Sequence, residues 1–145
     1  MKIEKIIAIS GKPGLYEIKS QTKGGVIVES LQDKKRFPVN SLHNISTLSD
    51  IAIYTYDEEV PLKKVLLNIF KKEDGKKTID HKSGKQELLA YFSEVLPDYD
   101  DERVYASNIK KVIQWYNALI DSGFDFSSIE EEEEEEEKLN EDEQK

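Results

Sequence analysis

Short β-branched runs alternate with turn residues through the first part of the chain, and this pattern predicts an antiparallel sheet. Gly24 and Gly25 supply a hairpin turn, while Pro38, which has no amide hydrogen to donate, predicts an edge position or a strand end. Residues 3–9 fit either a first strand or a helical turn. Four or five short strands with tight turns favour a small, strongly bent barrel over an open sheet. The predicted strands cover residues 15–19, 25–30, 36–39 and 51–55.

Apolar residues then recur at helical spacing in three segments, each of which predicts an amphipathic helix. The first follows Pro61, a residue that suits the first helical turn, and ends at Asp74-Gly75. The second starts with a capping box at Ser83 and ends at Pro97, and the third ends at Gly123. Because two amphipathic helices alone bury little surface, the second and third are expected to pack on each other and on the sheet or the first helix.

The polar stretches between these patterns divide the chain. Residues 1–73 are predicted to form the barrel with its following helix, 74–82 a linker, and 83–126 a helix-loop-helix unit. Residues 127–145 contain eight consecutive glutamates and little apolar material, so they are predicted to be a disordered tail. The expected fold class is therefore α+β: a small β-barrel, a helix, a helical hairpin and an acidic tail.

Charge is distributed unevenly along the chain. The net charge of −9 equals that of residues 130–145 alone, which hold 11 acidic and two basic residues, so the remaining 129 residues are neutral. Basic residues outnumber acidic ones by 8 to 4 in residues 1–48 and by 8 to 3 in residues 60–85. This asymmetry indicates an anion-facing surface with an acidic competitor in the same chain.

Several function classes are disfavoured by what the sequence lacks. Without cysteine there are no disulfides, zinc-thiolate sites or cysteine nucleophiles, which favours a reducing cytoplasm. The N-terminus has no apolar leader and no run of 18 apolar residues occurs, so neither secretion nor membrane insertion is expected.

The sequence contains no convincing motif for nucleotide binding, metal binding or catalysis. The loop at residues 11–14 resembles a phosphate-binding loop, but its lysine precedes proline and a strand, so a tight turn explains it better. His43 and His81 lack further ligands at metal-binding spacing. We therefore predict a protein that is not an enzyme, with no catalytic residue, metal, cofactor or small-molecule substrate.

The best candidate for a binding site is a basic hairpin tip beside an aromatic residue, Lys34-Lys35-Arg36-Phe37, which could contact phosphates and stack a base. A solvated turn with the Phe37 ring in the core is the ordinary alternative. Tyr54 and Tyr56 could add an aromatic platform or simply cover the mouth of the barrel. Lys63 and Lys64 lie on the polar face of their helix, where a solvated face explains them equally well. Trp115 adjoins an apolar stripe, which favours packing over ligand recognition.

Several segments together resemble a family of small bacterial proteins of unknown function. The matching segments are Gly11-Lys12-Pro13-Gly14-Leu15-Tyr16, then residues 25–31, 34–39, 51–55 and 58–62. The resemblance covers about residues 1–125 and implies an SH3-like barrel followed by a helical unit similar to the SAP type. Modules of both types often bind nucleic acids, although SH3-like barrels also bind peptides, so function follows only by analogy. The acidic loop and low basic content of residues 83–126 depart from a typical SAP unit.

Two functional hypotheses follow. In the first, the protein is a nucleic-acid-binding accessory protein whose basic segments face phosphates while the glutamate tail competes for the same surface. In the second, it is an adaptor whose groove or helical face takes a peptide or a partner helix. We favour the first.

Overall fold

A five-stranded antiparallel sheet forms the N-terminal third of the protein. The computed structural model describes residues 2–12, 14–40, 44–130, 135 and 139. After a short 3-10 turn at Ile3–Lys5, the strands follow in the spatial order β4-β3-β2-β1-β5. Residues 3–9 thus supply both structures that their sequence allows, a turn and then a strand. The strands are β1 (Ile6–Ile9), β2 (Tyr16–Thr22), β3 (Gly25–Ser30), β4 (Arg36–Val39) and β5 (Ile45–Thr47).

The predicted closure into a barrel is wrong for the strands that the structure describes. β4 and β5 are the two edges of the sheet and do not pair with each other. The run at residues 51–55, expected to belong to the barrel, instead forms a separate ribbon from β6 (Ala52–Tyr54) and β7 (Glu59–Pro61). Its backbone groups bond to β7 on one side and to residues 98–100 on the other, so the run does not extend the five-stranded sheet. Pro38 lies on edge strand β4, where its missing amide donor costs no ladder hydrogen bond.

Both faces of the open sheet carry buried apolar side chains. One face gives Ile6 and Leu15 to the main core. The other carries a small second cluster of five buried side chains, against which residues from both edge strands also pack. The cluster consists of Ile7, Ile9, Tyr16, Val26 and Val28.

Three helices cover the main-core face, and they correspond to the three predicted from apolar spacing. They are α1 (Leu62–Lys72), α2 (Lys85–Val95) and α3 (Ala106–Asp121). Leu48, in a 3-10 turn at Leu48–Asp50, is fully buried beneath α1 and joins the sheet to this helical layer. None of the described helices is long and apolar enough to cross a lipid bilayer.

The stretch at 74–82, expected to be a linker, is tied to α3 by hydrogen bonds. The backbone amide of Thr78 donates to Oδ1 of Asn117 at 2.9 Å, and Nδ2 of Asn117 donates to the carbonyl of Ile79 at 3.0 Å. The hydroxyl of Tyr116 donates to the carbonyl of Lys76. The side-chain amide of Asn117 therefore both accepts and donates a hydrogen bond, and it holds this polar segment against α3.

The predicted start of the tail at residue 127 is wrong, because ordered, buried structure continues past it. Phe124, Phe126 and Ile129 are all buried in the main core, and residues 127–130 are helical. These apolar side chains follow Gly123 without helical periodicity, so the pattern gave no signal for them. Residues 131–134, 136–138 and 140–145 of the predicted tail lie outside the described residues.

Candidate binding groove

A groove runs between the β1–β2 loop of the sheet and the outer side of α3. It consists of three adjoining cavities of about 170, 390 and 420 Å³. The first two share Ile51, Lys111 and Trp115, and the second and third share Gly14 and Gln114. These shared residues make the three cavities one continuous surface, which we call the groove.

Trp115 and Lys111 form the helical wall of the groove. They are one turn apart on α3, so their side chains lie on the same side of the helix. Trp115 is half-buried and packs against the main core, while Lys111 is exposed and has no ion-pair partner among the described residues. An aromatic surface and an unpaired cation therefore stand side by side.

Tyr54 and Arg103 close one end of the groove. The Arg103 guanidinium lies 4.3 Å from the centroid of the Tyr54 ring, within the range of a cation–π contact. Nε of Arg103 also donates to Oδ2 of Asp100 at 2.7 Å. This hydrogen bond lowers the pKa of Asp100 and raises the pKa of Arg103. The ion pair holds the guanidinium over the tyrosine ring.

Lys12 lies on the sheet side of the groove. It follows Gly11, whose positive φ of 82° turns the β1–β2 loop, and its Nζ stands 4.2 Å from the centroid of the Phe37 ring. Phe37 is half-buried and meets the ring of Tyr16 edge to face, with centroids 5.5 Å apart. The Phe37 ring is thus part of the second apolar cluster, and Lys12 links it to the groove.

The basic hairpin tip lies beyond the sheet end of the groove. Lys34 and Lys35 are exposed, and Nε of Arg36 donates to Oε2 of Glu29 at 2.8 Å. That hydrogen bond lowers the pKa of Glu29 and engages part of the guanidinium. Two residues before Lys34, Gln32 lines the polar end of the groove, so the hairpin lies at its rim.

Lys63 and Lys64 are placed elsewhere, in the first turn of α1, and they do not line any part of the groove that the structure describes. Among the predicted site residues only Tyr54 lines it directly. His81 lines the polar end, and His43 lies outside the described residues. The predicted residues therefore do not form one cluster.

Sequence reasoning missed Lys12, Arg103, Lys111 and Trp115. The one sequence feature that could have pointed to this site is the spacing of Lys111 and Trp115, which are four residues apart at the border of the apolar stripe of α3. That spacing shows that the two share a side of the helix, but only the fold shows that the β1–β2 loop faces them.

Comparisons with known proteins show that residues of two matched domains line the groove. Residues 3–48 match a domain of unknown function (DUF5606), and residues 51–119 match a second domain of unknown function (DUF6852). The Lys12 side of the groove belongs to the first match and the α3 side to the second. Ligand sites are common at such domain interfaces.

A solved relative covers both modules. It is a protein from Bacteroides vulgatus determined by solution NMR as a structural-genomics target, with 46% sequence identity and a TM-score of 0.72. The match covers 86% of this chain and 89% of that one. No curated protein sequence matches the chain. The chain thus belongs, with the Bacteroides protein, to a family of small bacterial proteins that join these two domains of unknown function.

Proposed function

We propose that the protein is a non-enzymatic nucleic-acid-binding accessory protein that holds a single strand in the groove. The observation that carries this proposal is the pairing of Trp115 with Lys111 on one wall. A base stacked on an aromatic side chain contributes about 1–3 kcal/mol without regard to sequence, and an adjacent cation meets the phosphate. The groove offers both contacts within one helical turn.

A single strand fits this arrangement better than a duplex. Bases in a duplex are already stacked on one another, whereas those of a single strand can turn outward onto an aromatic ring. Trp115 provides such a ring in the middle of the groove, and Lys12, Arg103 and Lys111 line the same path. If each cation meets one phosphate, the slope of log affinity against log salt should be about −2.

The acidic tail serves as a competitor for the same cations in this proposal. Residues 130–145 carry a net charge of −9. This segment follows Ile129, which is buried in the main core. Oε1 of its first residue, Glu130, lies 3.8 Å from Nζ of Lys71. A tethered segment acts at a millimolar effective concentration, so even a weak contact competes at low salt. Lys34 and Lys35, at the rim of the groove, would extend the surface over which strand and tail compete, whereas Lys63 and Lys64 lie outside it.

The test uses the protein's own fluorescence, because Trp115 is the only tryptophan. Single-stranded DNA and RNA of about 12 nucleotides, within the range of known site sizes, are titrated at low salt. Stacking on Trp115 should quench its emission. Lys111→Glu should weaken binding about tenfold, since it replaces an attractive phosphate contact with a repulsive one. Lys110→Glu is the matched control: the same charge change on an exposed neighbour outside the groove.

Absence of quenching at low salt, or equal losses in the Lys110 and Lys111 variants, contradicts the proposal. The adaptor hypothesis then becomes the better account of the protein. For the tail, a chain ending at Glu130 should bind more tightly than the full chain at low salt. The difference should shrink near 0.15 M salt, where the screening length falls to about 8 Å. Equal affinities of the two chains at low salt would contradict competition by the tail.

A further inference from the structure

A second surface, away from the groove wall formed by Trp115, combines exposed tyrosines with a shallow cavity. Tyr56 and Tyr105 are 61% and 62% exposed, an unusual degree for large apolar rings in the described part of the chain. The cavity, of about 530 Å³, lies between the start of α2 and the start of α3. Its lining includes Leu89, Val104 and Tyr105, with Lys85 and Asp101 at the rim.

Two acidic segments meet beside this cavity. The backbone amide of Tyr56 donates to the carbonyl of Asp98 at 3.1 Å, and the amide of Asp100 donates to the carbonyl of Tyr54 at 2.9 Å. The Tyr56 hydroxyl donates to Oδ1 of Asp101 at 2.6 Å, which raises the pKa of the phenol. These bonds hold the β6–β7 turn against the loop that precedes α3, although the two are about 40 residues apart in sequence.

The charge of this region is strongly negative. Residues 56–59 and 98–105 together hold seven carboxylates and one cation, Arg103, a net charge of −6. The first 129 residues are neutral as a whole, so the rest of them carry +6. We call the Tyr56 and Tyr105 rings, the cavity and these carboxylates the acidic face.

We propose that the acidic face binds a basic protein segment rich in arginine or lysine. The long aliphatic stems of such side chains would lie across Leu89 and Tyr105, while their charged ends reach the carboxylates and the tyrosine rings. Nucleic acid is repelled from this surface, so its partner differs in class from that of the groove. The protein would then join a strand and a basic protein on two surfaces that adjoin at Val104.

The experiment uses the full chain and a labelled peptide of alternating arginine and leucine, followed by fluorescence anisotropy at low salt. The double variant Asp101→Asn/Glu102→Gln should weaken binding about five- to tenfold, as expected for two lost surface charge contacts. Tyr105→Ala should weaken it about two- to fivefold, whereas Tyr105→Phe keeps the ring and should bind as the parent does. Each of these side chains is exposed, and Asp101→Asn keeps an oxygen that can accept from the Tyr56 hydroxyl, so the variants are expected to fold.

The tail provides the matched control. Glu136→Gln/Glu137→Gln changes net charge by the same amount, and its binding should stay close to that of the parent. If the tail variant loses as much affinity as the acidic-face variant, the tail binds the peptide and the proposal is overturned. It is also overturned if Tyr105→Ala binds normally, or if the protein self-associates and a second copy occupies the face. Lys111→Glu should leave peptide binding unchanged, so failure of the groove proposal is distinguishable from failure of this one.

Discussion

The ring of Phe126 lies almost parallel to the ring of Phe70, with centroids 4.5 Å apart and planes inclined by 17°. Phe124 meets Phe126 edge to face at 5.1 Å, so the segment after α3 is fixed onto the end of α1. Aromatic pairs of this kind add about 0.5–1.5 kcal/mol to the effect of burial itself. The last aromatic residues of the chain therefore belong to the folded core.

Ile129 extends this contact and should set the shortest stable chain. Its side chain is fully buried in the main core, so Ile129→Ala should cost about 2–5 kcal/mol of the free energy of unfolding. A chain ending at Ser127 should lose at least as much. A chain ending at Glu130 keeps the side chain and should unfold at the same urea midpoint as the full protein. Equal midpoints for the chains ending at Ser127 and Glu130 would contradict this assignment.

Gly25 should tolerate no side chain, because β4 passes directly over its α-carbon. A Cβ atom there would stand 1.9 Å from the carbonyl oxygen of Val39, a backbone atom that cannot move aside. We expect Gly25→Ala to cost about 3 kcal/mol, the upper part of the range for overpacking. Gly24→Ala is the control, since a Cβ at that neighbour meets no atom within 4 Å. Thermal unfolding of the two variants measures the difference. Similar stability would show that β4 does not pack closely over Gly25.

Tyr116 should make stability depend on pH in the alkaline range. Burial raises its pKa to about 12, whereas an unfolded tyrosine ionises near pH 10. The stabilisation is therefore complete below about pH 10 and is lost as pH rises through about 12. Tyr116→Phe removes this ionisation, so its free energy of unfolding should decline less steeply across that interval in chemical denaturation. Parallel curves for the two proteins between pH 10 and 12 would rule out the effect.

Phe37 and the neighbouring hairpin cations should differ in their effect on stability. Phe37 is half-buried against Tyr16, so Phe37→Ala should cost about 2 kcal/mol, less than a fully buried ring. Lys34→Glu and Lys35→Glu alter exposed side chains and should stay within about 0.5 kcal/mol of the parent. Urea denaturation compares the three. A neutral Phe37→Ala would show that the ring does not support the second apolar cluster.

The three helices and strands β2, β3, β4 and β6 could be predicted because their signals are local, whereas the short strands β5 and β7 were not predicted. The apolar spacing from Leu62 to Phe70 predicted α1, and the glycine pair at 24 and 25 predicted the β2–β3 hairpin. Barrel closure could not be predicted in this way, since it depends on which strands pair. The run at 51–55 pairs with β7 and with no strand of the main sheet that the structure describes.

The groove and the acidic face escaped prediction because each joins segments that are distant in sequence. Lys12 and Trp115 line the same cavity but are separated by about 100 residues. Trp115 was correctly expected to pack against the core, yet its other edge is open to the groove. A side chain at the border of an apolar stripe can pack against the core with one edge and face a groove with the other. The apolar spacing alone does not reveal the second contact.

Buried Leu48 has a consequence for how the family's two modules depend on each other. The boundary between the two domain matches falls at residues 48–51, inside the 3-10 turn that Leu48 begins. Its side chain packs in the main core with residues from both modules, among them Ile6 of the first and Leu62 of the second. The two matched domains therefore share one hydrophobic core. Expressed apart, each module would expose the face that the other covers, and neither would be a stable protein by itself.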